Sequence, residues 1–399
     1  MSKGTRIQVT DISTIQHSSF NIQHCRIALV HDYLNEQGGA ENVVEELLAL
    51  FPDAPLYTSL FEPKVMSKAF SHHEVRTSFM QRLPKRKAVA KGYLPLYPFA
   101  FRQFDLSGFD IILSSASSFA KWVRKGRAMH FCYCHTPTRF VWMQDEYLSR
   151  EGGGGLKRRL LRPLLNRLRD LDYRAAQEVD YFIANSQLTA ERIRRFYQRE
   201  SIVINPPIKL AEFESIELKK APTLAEGGYF LCLSRLLPYK RVDLAVAAAN
   251  QLGVPLVVIG TGPERAKLER EAGPTVKLLG RLPRAEVLRY IAGCTAFVFP
   301  GVDDFGITPV EVMAAGRAVV AYAEGGALET VVAGETGCFF YRQTAAELAA
   351  AMRDFDPAAF DPAVCRARAA QFDVDHFATR LLGFMASKYG VGQPPAVQP

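Results

Sequence analysis

Two short segments combine charged side chains with turn residues in an order that suits a phosphorylated ligand. The first is Ser234–Arg241, which carries Arg235 and Lys240 between an apolar run and a helical pattern. Two cations and the free amides of a helix N-terminus favour a bound diphosphate. Basic residues in a loop are equally typical of an ordinary solvated surface, so this segment alone leaves both interpretations open.

The second segment has the sequence PGVDDFGITPVE, from residue 300 to residue 311, and ends in a predicted helix. Its backbone amides can bind phosphate or sugar oxygens, and its carboxylates can accept hydrogen bonds from sugar hydroxyls. The candidate binding residues are Asp303, Gly306, Ile307, Thr308 and Glu311. The alternative is that Asp303 and Glu311 only stabilise the start of a helix through its dipole.

Alternating strand and helix patterns surround these segments. Short apolar runs predict strands at 26–30, 110–114, 128–134, 181–186 and 202–204, and again at 229–234, 255–260, 276–280, 296–300 and 318–321. An alanine-rich helix is predicted at 242–252. This order predicts an α/β protein with two Rossmann-like, doubly wound domains, in which ligands gather at the carboxyl ends of the strands.

Length and composition agree with two globular domains, since the 399 residues are 48% apolar and 23% charged. We predict a disordered extension at 1–24, domains at 25–205 and 206–375, a C-terminal helix at 376–390 and a disordered tail at 391–399. No apolar run is long enough to span a membrane, and the first 24 residues lack the apolar core of a secretory signal. These features predict a cytoplasmic protein. The seven scattered cysteines predict buried, reduced thiols.

Several motifs, in the same order along the chain, resemble the retaining glycosyltransferases of family 4, which have the GT-B fold. The matching segments of the second half are 234–244, 258–264, 303–316 and 325–330. In the first half, 29–32, 38–41 and 132–139 resemble the subset acting in bacterial O-antigen and exopolysaccharide assembly, many of them mannosyltransferases. The resemblance covers about residues 26 to 375 and implies two domains that face each other across a cleft holding the active site.

The resemblance also implies roles for residues of the second half. Arg235 and Lys240 would contact the donor diphosphate, and Glu311 the ribose hydroxyls. Gly306 and Ile307 would lend backbone amides to the sugar and phosphate. Asp303 stands where the family usually has glutamate; being one methylene shorter, it would shift or water-bridge the contact with the donor sugar.

In the first half, the resemblance implies that Gly38 and Gly39 form a loop facing the donor, and that His135 touches the transferred sugar. It further implies transfer with retained configuration, in which the departing phosphate helps to deprotonate the acceptor. No Asp-x-Asp motif of the metal-dependent transferases is present. We therefore expect neither a metal nor a cofactor, with a nucleotide sugar as substrate and GDP-mannose as the preferred donor.

The net charge of +8 is concentrated in the first half, where residues 25–205 hold 27 Lys and Arg against 19 Asp and Glu. Stretches 82–104 and 156–169 mix basic residues with aromatic residues and leucines. This pattern favours an anionic membrane surface and a lipid-linked or glycan acceptor as partners, with peripheral association at the inner face of the cell membrane. The alternative is an ordinary amphipathic helix with a solvated basic face.

Two rival functions remain open. A basic nucleic-acid-binding protein is compatible with a pI near 9.1, but no zinc-finger, RRM, KH or homeodomain pattern is present, so we expect no nucleic-acid partner. A GT-B-fold nucleotide-sugar epimerase would use the same donor without an acceptor. The sequence does not identify the sugar, the base, the acceptor, the linkage or the oligomeric state.

Overall fold

The computed structural model describes residues 25–84, 90–144 and 155–392. The predicted extension at 1–24 and most of the predicted tail lie outside these residues, as do Lys85, Arg86 and Lys87. In chain order the strands are β1 (Ile27–His31), β2 (Leu56–Thr58), β3 (Val75–Thr77), β4 (Ile111–Ala116), β5 (Met129–Cys134), β6 (Tyr181–Ala184), β7 (Ser201–Val203), β8 (Phe230–Leu233), β9 (Leu256–Ile259), β10 (Val276–Gly280), β11 (Ala296–Phe299), β12 (Val319–Tyr322) and β13 (Gly337–Phe340).

The α-helices of the described residues lie between these strands and after them. They are α1 (Gly39–Leu50), α2 (Tyr97–Arg102), α3 (Arg139–Trp142), α4 (Gly155–Glu178), α5 (Gln187–Arg192), α6 (Val242–Leu252), α7 (Arg265–Glu271), α8 (Arg284–Gly293), α9 (Ile307–Ala314), α10 (Ala327–Thr330), α11 (Ala345–Arg353), α12 (Pro362–Ala370) and α13 (Val374–Gly392). The last helix begins two residues before the predicted C-terminal helix and extends two residues past it.

The strands form two sheets of the Rossmann type. The first has the order β3-β2-β1-β4-β5-β6-β7 and the second the order β10-β9-β8-β11-β12-β13. Every neighbouring pair of the second sheet is parallel. In each sheet the strand order reverses beside the first strand in sequence, which is β1 or β8. Such a reversal opens a crevice at the carboxyl ends of the strands, where ligands bind in doubly wound proteins.

The chain divides into two compact units that interleave along the sequence. The first comprises residues 1–134, 167–183 and 375–399, and the second residues 135–166 and 184–374. The domains predicted from the sequence differ from these units, since they include 135–166 and 184–205 in the first domain and leave the C-terminal helix in neither. The chain passes from the first sheet to the second between β7 and β8, which brackets the predicted boundary at 205–206. The predicted domain limits themselves stay predictions.

Apolar residues cover both faces of the second sheet. One buried cluster includes Leu231, Phe297 and Val319, and another includes Phe230, Val298 and Val320, so that successive residues of each strand enter opposite cores. Helix α6 buries Val242, Ala245 and Ala249, and the next residue after it is Gly253, whose φ of 66° allows the left-handed cap. The cysteines of the described residues are all free thiols, and five of the seven are buried.

Candidate active site

The two predicted ligand-binding segments leave neighbouring strands. Residues 234–241 follow β8 and residues 300–306 follow β11, and these strands pair in parallel, with Phe230 opposite Ala296. Both loops therefore leave the carboxyl edge of the second sheet at its order reversal, the position the sequence analysis expected for a ligand.

A glycine lets the two loops touch. A Cβ atom on Gly301 would lie 2.7 Å from the Cα of Lys240 and 2.8 Å from the carbonyl oxygen of Tyr239. These distances are shorter than any side chain permits, so only glycine allows the β11 loop to pack on the turn that carries Lys240.

The close approach brings together two residues singled out from the sequence. Lys240 Nζ donates to Asp303 Oδ1 at 2.7 Å and to Oδ2 at 2.5 Å. The side chains are 14% and 18% exposed, so the pair is largely shielded from water. The resemblance implies that Lys240 contacts the donor diphosphate and that Asp303 contacts the donor sugar. In the structure, the two side chains form an ion pair with each other. Arg235 lies in the same loop with an exposed side chain.

Helix α9 begins at the end of the β11 loop. Gly306 has φ 86° and ψ 71°, a left-handed conformation that favours glycine, and Ile307 and Thr308 are the first two residues of the helix. Amides in the first turn of a helix have no carbonyl partner within it, so this turn can bind an anion. The predicted amide-bearing segment is thus a true helix N-terminus.

Glu311 lies in the second turn of α9 and has an ion-pair partner that sequence reasoning missed. Arg284 Nη2 donates to Glu311 Oε1 at 2.7 Å, and the Glu311 side chain is 15% exposed. Burial raises the pKa of Glu311 above its ordinary value, and Arg284 offsets only part of that rise. No motif of the sequence marks Arg284, and no helix was predicted there.

Asp304 forms a second cluster that the sequence did not reveal. Its carboxylate accepts from the guanidinium groups of both Arg139 and Arg192. Burial disfavours the charged form of Arg139, but Asp304 more than compensates, so the pKa of Arg139 is raised. Arg139 also lies over the Tyr239 ring, 5.5 Å from its centroid, and Lys240 Nζ is 5.3 Å from the same centroid. The three cations and the two carboxylates, Asp303 and Asp304, leave one positive charge.

His135 follows β5 and is buried, with 8% of its surface exposed. Its carbonyl oxygen accepts from Thr189 Oγ1 at 3.2 Å, and the next residue, Thr136, accepts from Arg192 at 3.3 Å. Because Arg192 also binds Asp304, a chain of hydrogen bonds connects the His135 segment to the loop that carries Asp303.

Gly38 and Gly39 lie in the first unit, at the start of α1. Gly38 is the N-cap, with extended backbone, and Glu41 is buried in the first turn of the helix. His31 Nε2 is 3.4 Å from Glu41 Oε1, and His31 Nδ1 is 2.9 Å from the Ser115 carbonyl. Burial opposes protonation of His31, but Glu41, Asp32 and the Ser115 carbonyl together outweigh burial, so the pKa of His31 is raised. The glycine loop of the first unit thus precedes a buried polar pair.

Two kinds of feature are absent from the described residues, a metal-ligand cluster and a membrane-spanning helix. No three His, Cys, Asp or Glu side chains among them are grouped so as to hold a metal ion. Within the same residues, no helix is long and apolar enough to cross a membrane.

Two family models match consecutive parts of the chain. "Glycosyltransferase Family 4" matches residues 37–212, and "Glycosyl transferases group 1" matches residues 215–356. The chain belongs to the family 4 glycosyltransferases.

Curated glycosyltransferase relatives match parts of the chain. A GDP-mannose-dependent alpha-(1-6)-phosphatidylinositol monomannoside mannosyltransferase of Mycobacterium tuberculosis is 34% identical over 139 residues, which are 30% of this chain and 36% of that protein. The human alpha-1,3/1,6-mannosyltransferase ALG2 is 26% identical over 278 residues, 61% of this chain and 64% of that protein. The match thus spans about a third of the length of the mycobacterial relative.

Solved structures support the same fold for this glycosyltransferase-family chain. Sucrose-phosphate synthase from Thermosynechococcus elongatus superimposes with a TM-score of 0.68 at 19% identity, covering 92% of this chain and 99% of that one. Anabaena HepE in complex with UDP and glucose has a TM-score of 0.65 at 18% identity, covering 91% and 100%. The predicted fold class, α/β with two Rossmann-like domains of the GT-B type, is confirmed.

Proposed function

We propose that this chain is a retaining glycosyltransferase that moves a hexose, preferably mannose, from a nucleotide diphosphate sugar to a glycan or lipid-linked acceptor in bacterial surface-polysaccharide assembly. The observation that carries the proposal is the cationic cluster of Lys240, Arg139 and Arg192 beside the order reversal of the second sheet. Lys240 and Arg235 lie in the loop after β8. The loop after β11 packs on Lys240 and leads into the N-terminus of α9.

Transfer of a sugar from a nucleoside diphosphate requires a site that stabilises negative charge. As the bond from the anomeric carbon to the donor phosphate breaks, negative charge grows on the leaving diphosphate and positive charge on the sugar. Lys240, Arg235 and the first amides of α9 can stabilise the leaving group without a metal. The surplus positive charge of the cluster favours an anion, and a bound diphosphate would compete with Asp303 for the Lys240 ammonium.

The remaining roles rest on the resemblance. Glu311 would accept hydrogen bonds from the ribose, and His135 and Asp303 would contact the transferred sugar. Gly38 and Gly39 would also contact the donor. The departing phosphate would take the acceptor proton on the face it leaves, which gives retained configuration. No metal or cofactor is part of the proposal.

The donor is the first point to test. The mycobacterial relative is named for GDP-mannose, which supports mannose, whereas HepE was solved with UDP and glucose. We expect GDP to raise the thermal stability of the protein more than UDP, dTDP or ADP does. A ligand at a hundred times its Kd adds about 2.7 kcal/mol.

Turnover then separates the candidate reactions. With the preferred nucleotide sugar and a lipid extract as acceptor source, a transferase releases nucleoside diphosphate and labels a lipid or glycan. An epimerase would convert the donor without the extract. Absence of stabilisation by every nucleotide diphosphate would count against both enzymes.

The proposal includes reversible binding to an anionic membrane, supported by aromatic side chains in the first basic stretch. Phe99 is 60% exposed and Phe79, just before the stretch, is 39% exposed, and Arg82 is exposed between them in sequence. Arg102 is committed elsewhere, since it donates to Glu178 at 2.7 Å. An exposed aromatic side chain beside basic residues suits the interface of an anionic bilayer.

The second basic stretch fits the alternative interpretation better. In α4, Leu165 and Leu168 are buried, whereas Arg162 and Arg167 are exposed. This is the pattern of a packed amphipathic helix with a solvated basic face. The proposed membrane-binding surface is therefore confined to Phe79, Arg82 and Phe99, together with residues 85–87, which lie outside the described part of the chain.

We predict that the double variant Phe79→Ser/Phe99→Ser loses most binding to phosphatidylglycerol vesicles, measured by sedimentation. Replacing Arg82, Lys85, Arg86 and Lys87 by Gln should weaken binding as well, since each basic residue near an anionic surface contributes about 1 kcal/mol. Binding of the native protein should fall as salt rises. Tyr341→Ser, which removes an aromatic side chain 74% exposed on the second unit, is the control and should bind normally. Equal vesicle binding by all variants would refute the surface.

A further inference from the structure

Arg284 lies beside the carboxylate of Glu311, which binds the ribose in the proposed function. None of the sequence motifs described above includes Arg284. Its Nη2 atom donates to Glu311 Oε1 at 2.7 Å and is 2.8 Å from Glu212 Oε2; its Nε atom donates to Glu212 Oε2 at 2.9 Å. One guanidinium therefore bridges two carboxylates from different elements, the second turn of α9 and the 3-10 turn at Leu210–Phe213.

The Arg284 side chain is held from a third side as well. Its Cζ atom lies 5.5 Å from the centroid of the Phe213 ring, which is itself buried. A planar guanidinium that rests on a ring and binds two carboxylates has little freedom to rotate. The contact therefore fixes the orientation of the Glu311 carboxylate as well as its charge.

The geometry leaves one oxygen of Glu311 available. Oε1 receives Arg284, while Oε2 makes no hydrogen bond with any residue that the structure describes. The side chain is only 15% exposed and Arg284 fixes its orientation, so this oxygen is an oriented acceptor. An acceptor of this kind suits vicinal hydroxyl groups, since both can donate to one carboxylate.

We propose that Arg284 is a positioning residue that holds the Glu311 carboxylate in a fixed orientation, and thereby makes the site selective for ribonucleoside diphosphates over analogues that lack the 2′ and 3′ hydroxyls. The inference rests on the proposed function for Glu311 and adds a residue and a substrate class to it. Arg284 itself does not touch the ligand in this role.

The charges of Arg284 and Glu212 both act on the Glu311 carboxylate. Arg284 comes from the start of α8, and Glu212 comes from the 3-10 turn; burial and Glu212 both favour the protonated acid, and Arg284 opposes them. A protonated Glu311 would be a weaker acceptor for hydroxyl groups. Loss of Arg284 should thus weaken ribose binding. As the pH is lowered, binding should also begin to decline at a higher pH than in the native protein, because Glu311 would take up its proton more readily.

The test measures the affinity of GDP and of 2′,3′-dideoxy-GDP by titration calorimetry, or of the matching UDP pair if the native protein binds UDP more tightly. We expect Arg284→Met to weaken GDP binding about tenfold and to leave the dideoxy analogue unchanged. Glu311→Gln should have the same effect on GDP binding. The double variant Arg284→Met/Glu311→Gln should lose no more GDP affinity than either single variant, because both changes act on the contact between Glu311 and the ribose.

Control variants separate positioning from folding. Arg284→Lys keeps the charge and should recover part of the affinity, and Arg281→Met, an exposed arginine three residues earlier, should bind both nucleotides normally. The pH below which GDP binding declines should be higher in Arg284→Met than in the native protein.

The outcomes distinguish the inference from the function beneath it. If Arg284→Met weakens both nucleotides equally, or neither, the positioning role is wrong while the nucleotide site stands. Equal affinity of the native protein for GDP and dideoxy-GDP also overturns the inference alone. If the native protein binds no nucleoside diphosphate, the proposed function fails and the inference falls with it.

Discussion

Replacing Lys240 or Arg235 by alanine should lower turnover by about a hundredfold or more, because each change removes a positive charge from the developing phosphate dianion. The effect of Lys240 should be the larger, since its ammonium is largely buried and lies within 2.7 Å of Asp303. Without Lys240 the Asp303 carboxylate would stay near the leaving group with no cation to offset it. The measurement is the rate of nucleoside diphosphate release at saturating donor and acceptor.

A second substitution tests this reasoning about Asp303. In the Lys240→Ala background, Asp303→Asn should recover part of the lost rate, because it removes the uncompensated negative charge. Lys267→Ala provides the matched control: this lysine is 47% exposed and its Nζ is 3.7 Å from Glu264 Oε2. Near-normal rates for both Lys240→Ala and Arg235→Ala would show that the diphosphate lies elsewhere.

The strands around the site could be predicted from the sequence, and three others could not. Ten apolar runs became β1 and β4 to β12, with each end within two residues of the predicted one. β2 and β3 are three residues long, and β3 is partly exposed, so their apolar patterns are too short to distinguish from loops. β13 starts with Gly337, a residue depleted in strands; here a Cβ would lie 2.1 Å from the Val319 carbonyl of the neighbouring strand.

Single residues of the site were easier to predict than their partners. The positions of Lys240 and Asp303 in loops, and of Glu311 in the helix after its loop, follow from strand ends, which the local pattern marks. Their contacts join distant parts of the chain: Lys240 is 63 residues from Asp303, and Arg284 is 27 from Glu311. The link from Asp304 to Arg139 spans 165 residues. Such pairs depend on how strands and helices pack, which the period of apolar residues does not specify.

The first unit contains a buried ion pair whose disruption should have the largest effect on stability. Lys121 Nζ lies 2.5 Å from Asp172 Oδ1 and also donates to the Ser118 carbonyl, and the two side chains are 2% and 0% exposed. Burial disfavours the charged form of Lys121, yet the charge and hydrogen bond of Asp172, together with other neighbouring groups, outweigh burial, so the pKa of Lys121 is raised. The ammonium is therefore charged inside the protein, and the Asp172 carboxylate is its ion-pair partner.

Asp172→Ala should destabilise the protein by about 3–5 kcal/mol, because it leaves a buried ammonium without its counter-ion. Lys125→Met is the matched control, since Lys125 pairs with Asp180 at the same 2.5 Å but is 23% exposed with a partner 38% exposed; it should cost about 1 kcal/mol or less. The double variant Lys121→Met/Asp172→Leu should regain most of the loss, because apolar side chains of similar volume replace both charges. Urea unfolding followed by tryptophan fluorescence gives the comparison, with Trp122 next to Lys121 reporting on this unit. Equal stability of Asp172→Ala and the native protein would mean that the ammonium finds another partner or loses its proton at little cost.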